Sequence, residues 1–284
     1  MSEPAGAVLT ISDLRIDIAG TKILRGIDLS LTPGRIQGLA GESGSGKTMT
    51  GLAVIGLLPP QAKVSGSIDL AGTDLTRLPR PRMNLVRGRD IGMVFQDPST
   101  SLHPMLSVGT QLTDHVRHHL KLSRAQARER AVAMLARVRI PDPEGALRRF
   151  SHQFSGGQRQ RVAIAIALAC EPKVLIADEP TTALDVTVQA GVLRLLRSLA
   201  DDMGLAVLLV THDLGVMSAI ADDVAVMRAG VIVEAGPREQ VFIAPGHEYT
   251  RSLLASMPGA TGGVSSLEDV RALAEPADRI GGAP

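Results

Sequence analysis

Gly41-Glu42-Ser43-Gly44-Ser45-Gly46-Lys47-Thr48 is the stretch from which the rest of the chain can be read. It matches G-x-x-x-x-G-K-[ST], and it stands between a short apolar run, Arg35 to Ala40, and a run of helical spacing from Lys47 to Leu57 that is expected to stop at Pro59-Pro60. Glycines in such a loop let backbone N–H groups turn toward an anion, and a helix N-terminus adds the positive end of its dipole. Lys47 would bring a point charge to the β- and γ-phosphates of a nucleotide, and the Thr48 hydroxyl a ligand for Mg²⁺. A strand, a phosphate loop and a helix in that order imply a parallel α/β sheet with its ligand at the C-terminal ends of the strands.

The flanking sequence extends that reading. Before the loop, Val8 to Ile18 and Ile23 to Leu31 alternate apolar and polar residues around Ala19-Gly20-Thr21, which predicts an antiparallel hairpin. Ser65 to Leu70 and Ile91 to Phe95 read as further strands, and the basic, Pro-broken stretch from Arg77 to Arg89 as a surface loop or short helix. The middle is helical: Val108 to Leu120, Arg124 to Val138 with Ser123 as its N-cap, and Gly157 to Cys170. Apolar strands then return at Val174 to Ala177, Leu205 to Val210 and Asp223 to Met227, with an amphipathic helix, Val186 to Asp202, between the first two. Val231 to Gly236 reads as a last strand and Glu248 to Ser256 as a short helix. From Gly259 onward a loose tail is expected, with one weak helix near Leu267 to Ala274.

Candidate chemistry sits where these strands end. Val174 to Ala177 runs into Asp178 and Glu179. There Asp178 would hold a metal, and Glu179 would orient or deprotonate an attacking water. His212 follows the strand Leu205 to Val210, so it should lie at the same sheet edge and contact a γ-phosphate. Gln96 ends the strand Ile91 to Phe95 and is a candidate for both metal and water. A second anion site is suggested by Phe154-Ser155-Gly156-Gly157-Gln158-Arg159-Gln160-Arg161, which opens a helix. One nucleotide does not need two such loops from one chain. The economical explanation is a composite site, with two subunits clamping one nucleotide between the phosphate loop of one and the Ser-Gly-Gly loop of the other.

Composition narrows the alternatives. The chain has four Phe, one Tyr, no Trp and a net charge of +1, so it lacks both stacking platforms and a polyanion-binding excess, and no nucleic-acid partner is expected. Cys170 is the only cysteine, which excludes an intramolecular disulfide and an iron–sulfur cluster held by this chain alone. The N-terminal residues carry no signal-peptide pattern, and the longest apolar runs are about half of the roughly 20 residues that a membrane helix requires, so a soluble cytoplasmic protein is expected.

Taken together, residues 8–258 resemble an ATP-binding-cassette (ABC) ATPase. The resemblance implies a P-loop NTPase, RecA-like core with an N-terminal antiparallel β subdomain and an α-helical subdomain inserted at about 97–170; residues 259–284 would be a flexible tail. It implies ATP and Mg²⁺ as cofactors, and it names Gly41 to Thr48 as the Walker A loop, Gln96 as the Q-loop and Phe154 to Gln158 as the signature. Asp178 resembles the Walker B aspartate, Glu179 the catalytic glutamate, Asp185 the D-loop aspartate and His212 the switch histidine. Phe95-Gln96-Asp97-Pro98, the run Thr181 to Ala190, Thr211 to Val216 and Pro245 to Leu254 look like the oligopeptide/dipeptide/nickel importer ATPases. That likeness implies a peripheral subunit on the cytoplasmic face of a bacterial cell membrane. Its partners would be a second ATPase subunit, the same or different, two transmembrane permease subunits and, indirectly, an extracytoplasmic solute-binding protein. Phe154 stands where Leu is usual and His103 where Asn is common, and the tail is short and lacks cysteine. Cassettes of this family usually stack adenine on an aromatic residue in the N-terminal hairpin; here that position falls at or near Ile18, and no aromatic precedes Phe95.

Three other readings compete. The same role in an importer of nickel or another small solute would use almost the same ATPase. A soluble ABC-type ATPase acting on DNA or ribosomes is disfavoured by the short Gln96–Ser155 interval, which has no room for a long arm. A nucleotide kinase or GTPase has no use for Ser-Gly-Gly-Gln, and no Asn-Lys-x-Asp is present. His115, His118 and His119 share a predicted helix face at metal-ligand spacing, but the plainer expectation is a solvated or permease-facing surface.

Overall fold

The computed structural model describes residues 6–97, 101–182 and 184–256. Pro98, Ala183 and the expected tail with its weak helix lie outside them. The first strands pair as their alternation predicts: β1 (Leu9–Ile18) and β2 (Thr21–Leu31) are antiparallel, with Ile18 opposite Thr21. The turn is therefore only Ala19-Gly20, and both residues have positive φ, 52° and 87°. That backbone twist matches the twist of the strands. After β3 (Ile36–Ala40) and α1 (Lys47–Val54), β4 (Ala62–Leu70) and β5 (Thr73–Asp74) complete a four-stranded antiparallel sheet in the order β2-β1-β4-β5.

Helix α1 stops earlier than the prolines suggest. Gly56 has φ +61°, its N–H donates to Ala53 O, and Leu57 N–H donates to Leu52 O. This paired closure satisfies the last carbonyls and needs a residue that tolerates a left-handed backbone. The basic stretch Arg77 to Arg89 resolves into a single 3₁₀ turn, Leu75–Arg77, and helix α2 (Arg80–Val86), with Pro81 in its first turn where no N–H is missed.

Beyond β6 (Ile91–Val94) the chain runs through α3 (Val108–Leu120), α4 (Arg124–Arg137), the short α5 (Pro143–Ala146) and α6 (Gly156–Leu168). Ser123 caps α4 as expected, through a reciprocal box with Gln126. Then come β7 (Val174–Asp178), α7 (Val186–Met203), β8 (Ala206–Val210), α8 (Leu214–Ile220), β9 (Asp223–Arg228), β10 (Val231–Pro237), α9 (Arg238–Ile243) and α10 (Glu248–Ala255). Helices α8 and α9 span only seven and six residues, too short to show a helical period in the sequence.

These strands form a six-stranded sheet in the order β10-β9-β3-β8-β7-β6, parallel except for β10. Its two faces feed two different cores, and the period of two along each strand decides which. Val174, Ile176, Ala206, Leu208 and Val210 face the antiparallel sheet and α1. Leu175, Ala177, Val207 and Leu209 face the helical side, where Val162, Leu168, Val192 and Leu196 pack. A sheet buried on both faces explains why its strands read as unbroken apolar runs. Among the described residues no helix is long and apolar enough to cross a membrane.

Candidate functional site: a phosphate loop facing a carboxylate cluster

The strand order brings distant segments to one edge. β3 delivers the phosphate loop, its neighbour β8 delivers Thr211 and His212, and β7 beyond it delivers Asp178 and Glu179. Gln96 arrives from the last strand, β6.

The loop is held from below. Gly41 has φ +147°, and a Cβ there would lie 2.2 Å from Met227 O, so only glycine fits this approach to β9. Gly230 N–H, in the β9–β10 turn, donates to Ser45 O at 3.0 Å. Lys47 is 6% exposed, and its Nζ donates to Gly41 O at 2.7 Å and Glu42 O at 2.8 Å. Burial pushes the Lys47 pKa down, against the nearby negative charges of Glu179, Asp178 and Glu42. Among the described residues, the N–H groups of Ser43, Gly44 and Gly46 and the buried Ser45 hydroxyl find no protein partner. Donors gathered at a helix N-terminus in this way fit a polyphosphate.

Opposite the loop, Thr48 Oγ1 donates to Asp178 Oδ1 at 3.3 Å. Asp178 is 5% exposed, and burial raises its pKa in spite of Thr48 and Lys47. A buried carboxylate and a hydroxyl side by side are the hard oxygen donors that Mg²⁺ prefers. Glu179 follows in a left-handed backbone, φ +47°, with its N–H on Val210 O, so its side chain turns out of the sheet toward its neighbours. Its Oε1 meets His212 Nδ1 at 2.7 Å; its Oε2 accepts from Gln96 Nε2 at 2.7 Å and from Thr182 Oγ1 at 3.0 Å. Burial alone would raise the Glu179 pKa. The hydrogen bonds of His212 and Thr182 and the charges of His212 and Lys47 outweigh it, leaving the carboxyl below its ordinary value. Glu179 is thus an ionised carboxylate beside the phosphate loop, the state a proton acceptor needs.

Gln96, Asp178, Glu179 and His212 therefore meet Lys47 and Thr48 in one cluster. Ser155, Gly156, Gly157 and Gln158 do not: no hydrogen bond joins them to the phosphate loop or to Glu179 among the described residues. Instead Ser155 caps α6 in a reciprocal box with Gln158, and Asp185 caps α7 through Val188 N–H at 2.9 Å. The two caps pack together, since a Cβ on Gly157 would meet Val188 Cγ1 at 2.3 Å.

Two contacts were not legible as such. Thr182 Oγ1 donates to Glu179, and Tyr249 Oη accepts Glu42 N–H at 3.3 Å, so that loop N–H is not available to a phosphate. Both residues lie in runs that resemble the importer ATPases, Thr181 to Ala190 and Pro245 to Leu254, and Tyr249 is also the only tyrosine, but neither signal names the contact. Of the expected solvated or permease-facing histidine face, only His118 is exposed. His115 and His119 are half-buried, and His115 lines an apolar groove of about 230 Å³ between α1, β6, α3 and α6, together with Leu57, Met93, Phe95, Leu102 and Ile166. Among the described residues, no cluster of three or more His, Cys, Asp or Glu side chains is arranged to hold a metal. Ile18 is half-buried at the hairpin tip, against the core beneath the antiparallel sheet.

Comparison with known proteins agrees with this geometry. The profile of the family described as "ABC transporter" matches residues 24–182. The chain is 48% identical over 257 residues to the dipeptide transport ATP-binding protein DppD of Bacillus subtilis, covering 88% of this chain and 77% of that one. It is also 48% identical, over 88% of its length and 72% of the relative's, to the oligopeptide transport ATP-binding protein OppD of the same organism. Among solved structures, the ATP-binding cassette MJ0796, a dimer in a post-hydrolysis state bound to ADP and Pi, superposes with a TM-score of 0.70 at 26% identity, covering 81% of this chain and 98% of that one.

Proposed function

Because the chain belongs to the ABC transporter family, we propose that it hydrolyses ATP to power peptide uptake, as a peripheral subunit on the cytoplasmic face of a bacterial cell membrane. The observation that carries the chemistry is Glu179, an ionised carboxylate held by Gln96, Thr182 and His212 beside Lys47.

The N–H groups of the loop and the Lys47 ammonium would bind the β- and γ-phosphates. Thr48, Asp178 and Gln96 would hold Mg²⁺, which when bound neutralises the charge of the phosphates. Glu179 takes a proton from a water whose oxygen bonds to the γ-phosphorus, while the bond from that phosphorus to the bridging oxygen breaks and ADP leaves. His212 and Gln96 orient the carboxylate and the water. Ser155 to Gln158 act on the nucleotide of a second ATPase subunit, identical or not, and Asp185 at the neighbouring cap lies in the same interface. That these residues only cap their own helices, with no hydrogen bond to the chain's own phosphate loop among the described residues, supports that assignment.

The partners are two transmembrane permease subunits, fed by an extracytoplasmic solute-binding protein. A cytoplasmic segment of the permease would dock in the apolar groove that ends at Phe95, next to Gln96, so that its movement reaches the residue that holds Glu179. The low net charge and the scarcity of aromatics support the absence of a nucleic-acid partner. The test is to purify the intact membrane complex, reconstitute it in vesicles with its solute-binding protein, and measure ATP-driven uptake. Uptake of di- or oligopeptides is expected. Uptake of Ni²⁺ with none of peptides would overturn the substrate, and ATPase activity with no membrane partner would overturn the transport role.

A further inference from the structure

Tyr249 is the first-turn residue of α10, more than 200 positions from the phosphate loop, yet its hydroxyl oxygen accepts the N–H of Glu42. That N–H belongs to the same planar peptide unit as the carbonyl of Gly41. The carbonyl end of the unit accepts Lys47 Nζ at 2.7 Å, so one rigid plane joins the tyrosine to the lysine. Its N-terminal neighbour is a glycine at φ +147°, a backbone with little steric resistance to a peptide flip. A flip would turn the carbonyl away from Lys47. An acceptor at the N–H end selects the orientation in which Lys47 is held.

The tyrosine itself is fixed from three sides. It is 6% exposed, and the Arg228 guanidinium lies 4.7 Å from its ring centroid. The elbow before it is tied to β10, where the Glu234 carboxylate accepts from Gly246 N at 2.7 Å and His247 N at 3.1 Å. His247 Nδ1 then accepts Tyr249 N–H at 3.0 Å and caps the helix.

We propose that Tyr249 is a positioning residue for ATP: its hydroxyl locks the Gly41–Glu42 peptide so that the Gly41 carbonyl aims the Lys47 ammonium at the phosphates. The proposal rests on the ATPase reading above. It makes the C-terminal helix part of the nucleotide site, although no atom of that helix is assigned a contact with the nucleotide.

The test is Tyr249→Phe, which removes the oxygen and keeps the ring over which Arg228 sits. Equilibrium binding of ATP with Mg²⁺ to the full chain, steady-state hydrolysis, thermal unfolding and amide hydrogen exchange are measured side by side. Loss of one such hydrogen bond is expected to weaken ATP binding and raise KM about threefold to tenfold. kcat should stay within about twofold of the parent, because the Glu179 cluster is untouched, and the unfolding midpoint should be retained. The Glu42 amide should exchange about tenfold faster. Unchanged affinity and unchanged Glu42 exchange in Tyr249→Phe, with the parent chain binding ATP, would overturn the positioning role and leave the ATPase reading standing. A lowered midpoint with kcat and KM affected alike would assign Tyr249 to packing and overturn it too. If the parent chain bound no ATP, both readings would fall.

Discussion

Replacing Glu179 by glutamine separates the chemistry of the site from its architecture. The carboxylate has one oxygen on His212 Nδ1 and the other on Gln96 Nε2 and Thr182 Oγ1. An amide can reproduce this pattern: its oxygen accepts from Gln96 and Thr182, and its nitrogen donates to His212 Nδ1 in the tautomer that accepts. Folding stability should therefore change by no more than about 1 kcal/mol. The negative charge and the ability to take a proton are lost. General-base catalysis contributes about 10²- to 10⁴-fold, so kcat should fall by that factor, equivalent to about 3–5 kcal/mol on the barrier. ATP binding should be retained or tightened, since a like charge near the γ-phosphate is removed. The assay is phosphate release under saturating ATP, alongside equilibrium binding and a thermal unfolding curve. The parent adds a check on ionisation: with the Glu179 pKa of the nucleotide-free chain held below the ordinary 4.5, the acid limb that Glu179 gives to kcat/KM should lie below that value and disappear in Glu179→Gln. A fall in kcat of less than about threefold, with ATP bound and the fold intact, would refute Glu179 as the base.

Other expectations follow from single side chains. Ile18→Tyr should tighten ATP by about 1–3 kcal/mol, measured by equilibrium binding, because it adds a stacking surface at the hairpin tip; unchanged ATP affinity would mean that Ile18 is not the base-contacting position. His119 is held at about 4, first by burial and then by the charges of His115, His118, Arg89 and Lys121, against an ordinary 6.5. The folded protein therefore binds fewer protons than the unfolded chain between those values. Stability is complete above about pH 6.5 and is lost progressively toward pH 4, by about 1–2 kcal/mol after allowing for solvent screening. Unfolding midpoints across that range should flatten in His119→Gln. Ala19 sits at φ +52° in the two-residue hairpin turn, so Ala19→Asn should raise stability by on the order of 1 kcal/mol in a denaturant titration.

The residues that meet in the candidate site were legible because each stands at the end of an apolar strand, and the C-terminal ends of parallel strands meet at one edge. Gln96, Asp178, Glu179 and His212 all follow that rule. The helix stop at Gly56 was less legible, because a glycine closing a helix leaves no pattern as strong as Pro59-Pro60 three residues later. The inward turn of His115 depends on a partner surface, the β6 and α6 side of the groove, that no local period reports. The tie between Tyr249 and Glu42 is a contact across 207 positions between a helix turn and a loop amide, and backbone donors carry no sequence signature. Sequence reasoning finds side chains aimed by regular elements; it misses those aimed by tertiary docking.

The central place of β3 has a consequence for how the protein is made. The strand that carries the phosphate loop, residues 36–40, has β8 and β9 as its only sheet neighbours, at residues 206–210 and 223–228. On a ribosome that adds about 5–20 residues per second, β3 emerges on the order of ten seconds or more before either neighbour exists. Throughout that interval an apolar strand with two open edges and a glycine-rich loop must wait without a sheet to join. The nascent chain thus passes through a stage that is exposed to mispairing, and the phosphate loop meets the strands that carry Asp178 and His212 only late in synthesis.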